Sequence, residues 1–61
     1  MNTAIACLVA GDCSYTLRRS NVNQSNYYIK NELKNTIVWN GSFESFDEAI
    51  TAAEVDGFEF D

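Results

Sequence analysis

The chain has no histidine and no proline, and only two cysteines and three glycines among 61 residues. Without histidine it lacks the commonest general base and a favoured metal ligand. Cys7 and Cys13 are too few for a structural zinc site, which takes four Cys or His ligands. No metal and no cofactor are expected. Neither thiol has a basic neighbour in sequence to lower its pKa, and no glycine-rich phosphate-binding motif occurs. A chain this short also has little room for a ligand-sized pocket of roughly 300 Å³. Enzyme activity is not expected.

Long hydrophobic runs are missing too. The stretch "AIACLVA" (Ala4 to Ala10) is too short to span a bilayer. No Lys or Arg precedes it, as a secretory leader would require. The expectation is a cytoplasmic chain, complete from Met1, with free thiols and no membrane contact. The lack of proline and the few glycines signal no linker, so residues 1–61 read as a single domain. A chain of this size buries only about 60% of its unfolded surface and is marginally stable. Apolar residues at 46% and charged residues at 21% are nonetheless a globular composition.

Positive charge is scarce and localised. Arg18, Arg19, Lys30 and Lys34 are the only bases, and the net charge is −5. From residue 36 onward there are seven acids and no base: Glu44, Asp47, Glu48, Glu54, Asp56, Glu59 and Asp61. Such a chain is poorly suited to direct binding of nucleic acid through phosphates. It suits a basic protein surface, because complementary fields steer encounter.

Apolar patterning predicts four antiparallel strands near 3–10, 13–19, 26–31 and 35–43. Gly11-Asp12 reads as a two-residue turn. It would set Leu8 against Tyr15 and Ala6 against Leu17, and would keep Cys7 and Cys13 from facing each other. The segment "RRSNVNQSN" reads as a loop. A loop centred on Leu33 would set Ile29 against Ile37 and Tyr27 against Trp39, chosen because a buried pattern sets register.

The sequence "SFDE" (Ser45 to Glu48) is a capping box, in which Ser45 caps the amide three residues on and Glu48 reaches back. Phe46, Ala49, Ile50 and Ala53 then form one apolar face, and Gly57 is a natural stop. A helix is predicted over residues 46–56. Asp47 and Glu48 suit the first turn, where the helix dipole favours acids. Glu54 and Asp56 sit where it disfavours them. Local rules broken in this way are where function is worth seeking. The alternative is a solvated face that keeps the protein soluble.

The fold class expected is α+β: a small antiparallel sheet of three to four strands with one C-terminal helix on one face. The predicted core is Leu8, Tyr15, Leu17, Ile29, Ile37, Trp39, Phe43, Phe46, Ala49, Ile50 and Ala53. Ile5, Cys7, Val9 and Val38 make the other face apolar enough to suggest a cover, by a homodimer or another partner. "GFEFD" alternates like a strand. It could pack under the helix, form a short edge strand, or add to a partner's sheet.

The entry into the helix, "FESFDEAITAAE", after a small antiparallel sheet, resembles short acidic bacteriophage early proteins. It is similar in style to the small phage inhibitor of host RNA polymerase. In size and acidity the chain is similar to anti-CRISPR and other anti-defence proteins. The resemblance covers residues 41–57 and carries over no residue roles. It implies stoichiometric inhibition of a host protein, either a defence protein or one that handles nucleic acid, in the host cytoplasm. The seven acids from Glu44 to Asp61 would be the binding residues, in place of phosphates. Two other readings stand beside it: a self-associating assembly protein, and an RNA-binding sheet using Arg18, Arg19, Tyr28 and Lys30.

Overall fold

The computed structural model describes residues 3–8, as backbone only, and residues 14–60. The chain is α+β, with the element order β1 (Thr3–Leu8), β2 (Tyr15–Arg19), β3 (Asn26–Asn31), β4 (Thr36–Ser42), α1 (Phe46–Val55) and β5 (Phe58–Phe60). The strands form one antiparallel sheet in the order β4-β3-β2-β1-β5. The four expected strands are present. The "FEF" tail supplies the fifth by pairing with β1, Leu8 against Phe58 and Ala6 against Phe60.

Side-chain alternation decides which face is buried. Along β3, Tyr27, Ile29 and Asn31 are buried, while Asn26, Tyr28 and Lys30 are half-buried. The buried set faces α1. The core comprises Leu17, Tyr27, Ile29, Ala49, Ala53 and Phe58, with Tyr15, Trp39, Phe43, Phe46, Ile50 and Phe60 packed against it. Alanine at 49 and 53 leaves the helix without bulk toward the sheet, and rings fill the flanks. Tyr15 meets Phe58 edge-on at 5.8 Å, and Tyr27 meets Phe46 at 5.9 Å.

The registers differ from those expected. β1 and β2 pair Ala6 with Tyr15 and Ala4 with Leu17, two residues from the predicted alignment. A shift of two keeps every residue on its face, so the hydrophobic pattern alone could not tell the two alignments apart. The predicted turn at Gly11-Asp12 lies outside the described residues, as do Val9, Cys13 and the side chains of Ile5, Cys7 and Leu8.

Between β3 and β4, Ile29 pairs with Trp39, and Lys30 with Ile37. Ile37 is therefore not in the core; it is 59% exposed. Turn chemistry explains why. The Asn31 carboxamide oxygen accepts from the amides of Leu33 (3.0 Å) and Lys34 (3.1 Å). Asn35 takes the left-handed conformation, φ 57°, which asparagine tolerates. These residues set Asn31 against Thr36. Continued without interruption, that register would set Ile29 against Val38 and turn Trp39 outward. The register shift at Ile29/Lys30, a β-bulge that takes up one extra residue, brings Trp39 back to the helix side.

Helix α1 starts as its capping box predicts. The Ser45 hydroxyl accepts from the Glu48 amide (3.2 Å). The Glu48 carboxylate accepts from the Glu44 amide (3.0 Å), one residue ahead of the cap. Gly57, at φ +104°, ends the helix, its amide donating to the Glu54 carbonyl at 3.1 Å. This left-handed residue turns the chain into β5. The polar β2–β3 loop bonds itself: the Ser20 hydroxyl accepts from the amides of Val22 and Asn23, and the Asn23 side chain accepts from the Ser25 amide.

Candidate functional site

The helix buries Ala49 and Ala53, so the opposite face meets solvent. Asp47, Thr51 and Glu54 follow one another there at helical spacing, with Glu48 beside them, all exposed. The Thr51 hydroxyl donates to the Asp47 carbonyl (3.1 Å). Glu44, also exposed, stands just ahead of the cap. A shallow depression lined by Ser25, Ser42, Phe43, Glu44 and Glu48 adjoins the helix start. A second lies over Asp47, Glu48, Thr51 and Ala52. Among the described residues, no cation pairs with any of these carboxylates; the one ion pair is Arg18–Glu32. The structure thus brings Glu44, Asp47, Glu48 and Glu54 together on and beside one helix.

The other predicted acids lie elsewhere. Asp56 caps the helix C-terminus, and its carboxylate accepts from the Trp39 indole N–H at 2.7 Å. That bond, seventeen residues apart in sequence, gives Asp56 a structural reason to sit at a dipole-disfavoured end. Trp39 is held in turn by a parallel stack on Phe43, 5.5 Å between centroids and 4° between planes. The Phe43 ring lies over Gly41, where an added Cβ would come within 2.8 Å of it. Glu59 sits between Phe58, which is buried, and Phe60, which packs on the core. It therefore faces away from the helix. Asp61 lies outside the described residues.

Arg18 and Lys30 lie on the far face of the sheet. Arg18 pairs across strands with Tyr28, and Lys30 follows two residues along the same face of β3. Arg19 pairs with the buried Tyr27, so it belongs to the helix side, apart from the other three residues of the RNA-binding reading. Glu32, which sequence patterning does not single out, organises this face. It accepts from the Thr16 hydroxyl and pairs with Arg18 at 3.2 Å, while the Arg18 Nε–H donates to the Thr16 oxygen at 3.2 Å. The Thr16 hydrogen bond, aided by Arg18 and Lys30, holds the Glu32 carboxyl below its ordinary value, against a smaller opposing effect of burial. The Arg18–Tyr28 cross-strand pair follows only from the register, but position 32, just after β3, is where sequence could have suggested a partner for Arg18.

Among the described residues, no group of three or more His, Cys, Asp or Glu side chains could hold a metal ion. Among the described residues, no helix is long and apolar enough to cross a membrane. No protein-family model, curated protein or solved structure matches the chain.

Proposed function

We propose that this chain is a binding protein without catalytic activity, a small inhibitor that occupies a basic surface of a host protein with its acidic helix. Glu44, Asp47, Glu48 and Glu54 make the contact. They stand in for the phosphates that a nucleic-acid-handling or defence protein would otherwise bind. The supporting observation is the unbroken acidity of the helix's exposed face. The helix carries exposed carboxylates with no cationic partner among the described residues, while Arg18 and Lys30 lie across the sheet. A face kept acidic only for solubility would gain from interspersed bases; this helix has none. The phage-type part of the reading rests on the helix-entry sequence and on the chain's size and acidity.

The test is capture of a partner from bacterial lysate at low and at moderate salt, with the Glu54→Lys/Asp47→Lys variant alongside. The expected result is one stoichiometric partner, released by salt and lost with the double variant. Glu54→Lys by itself puts a cation near the helix C-terminus, which the dipole favours, so lost binding by that variant is not lost folding. An unchanged affinity in the double variant would refute the electrostatic reading.

A further inference from the structure

We propose that β4 is a self-association edge, at which two copies of the chain pair antiparallel about a two-fold axis at Gly41 and join their sheets. The two edges of the sheet differ. β5 is three residues long and β4 is seven. A long free edge is a template for another strand unless charge, proline or a bulge blunts it. β4 reads TIVWNGS, with no charged residue and no proline. Its one blunting device, the bulge, lies toward its start, around Ile37 and Val38. From Trp39 to Ser42 the ladder with β3 is regular, and no strand lies beyond it among the described residues.

Backbone direction sets the register. The Phe43 amide donates to the Ser25 carbonyl at 2.8 Å, so the polar groups of Phe43 point toward β3. Direction alternates along a strand. Those of Gly41 and Trp39 therefore also point toward β3, and those of Asn40 and Ser42 point out. A two-fold axis at Gly41 sets Asn40 opposite Ser42 of the second copy, on both sides of the axis. Each such pair exchanges two N–H···O=C bonds, four in all. Gly41 then meets Gly41 of the second copy in the close kind of pair, with Cα atoms about 4.5 Å apart. The half-buried Trp39 and Phe43 rings gain cover as Trp39 comes opposite Phe43 of the second copy.

The uncharged edge admits a second copy as the occupant. Two chains of net charge −5 repel over most of their surfaces, and a neutral strand is where they can approach. A basic partner would be drawn to the helix instead. Ile37 and Val38, 59% and 47% exposed, flank the contact.

The experiment is sedimentation across a concentration series, joined to amide hydrogen exchange by NMR. A dimer is expected in which the Asn40 and Ser42 amides become protected as concentration rises, while those of Trp39 and Gly41 are protected throughout. Ser42→Pro removes one outward donor per copy, at an edge position that tolerates proline. It should weaken the dimer by about thirtyfold. Asn40→Lys, which leaves the fold's own bonds intact, should also weaken it. A monomer at every concentration up to those used for NMR would overturn the proposal. So would a dimer indifferent to both variants, or one whose Asn40 and Ser42 amides exchange as fast as in the monomer. Protection appearing only with an added partner protein would assign the edge to that partner instead.

Discussion

β3 shows both sides of this molecule on one strand. Tyr27 and Ile29 are 3% and 0% exposed, while Tyr28 and Lys30, their alternating neighbours, stay half-buried. One set lies under α1. The other belongs to a face that no described element covers. The neighbouring tyrosines Tyr27 and Tyr28 therefore do different work one position apart. Toward the helix, apolar groups are removed from water, and each fully buried aliphatic side chain contributes roughly 1.5–3 kcal/mol. Away from it, Thr16, Arg18 and Glu32 hold one another in place with solvent close by, which screens the ion pair and leaves its contribution small. Stability comes from one side. The other side is available for contact without cost to the core.

The largest test of this contrast compares two isoleucines of the sheet. Ile29→Ala leaves a cavity under the helix and should cost about 2–5 kcal/mol, a large part of the stability of so small a domain. Ile37→Ala should stay within about 0.5 kcal/mol. Urea unfolding of both variants reads the difference. A comparable loss for Ile37 would mean that the far face is covered in solution.

The next test concerns how the helix is held to its side. Ser45→Ala removes the hydroxyl that caps the Glu48 amide and should cost about 1 kcal/mol. Thermal unfolding followed by far-ultraviolet circular dichroism measures it. No change would show that packing of Phe46, Ala49 and Ala53 alone sets the helix start.

The smallest expected effect is on the far face. The Glu32 carboxyl is held below its ordinary value of 4.5, so the folded state favours its charged form. Its contribution is present above that value and fades as pH falls through the lower, folded-state value. Glu32→Gln should slightly flatten the acid limb of the stability curve and leave stability near neutral pH little changed, because the pair is exposed. A steep loss at neutral pH would show that the Thr16–Arg18–Glu32 cluster supports the fold more than its exposure implies.

Much of the architecture was legible in the chain. Strand positions, the helix and its capping box, the glycine stop and most of the core follow from local pattern. The acids at 44, 47, 48 and 54 could be seen to cluster, because a short helix brings near neighbours onto one side. Asp56 and Glu59 lie apart from that cluster for different reasons. One is taken up by an indole contributed by β4. The other is turned away by the strand alternation of a tail whose pairing partner lies about fifty residues earlier in the chain.

What the sequence determined by itself is whatever depends on contacts a few residues apart: the cap at Ser45, the Asn31 and Asn35 turn, the alternation within β3, the acidity of the helix. Tertiary structure alone decided the alignment of β1 on β2, the bulge that returns Trp39 to the core at the expense of Ile37, and the bond from Trp39 to Asp56. The physical reason lies in the strand's period of two. A shift by two residues preserves every hydrophobic pattern, so only the geometry of the turns, and the fit of rings beneath the helix, can choose among the alignments that pattern allows.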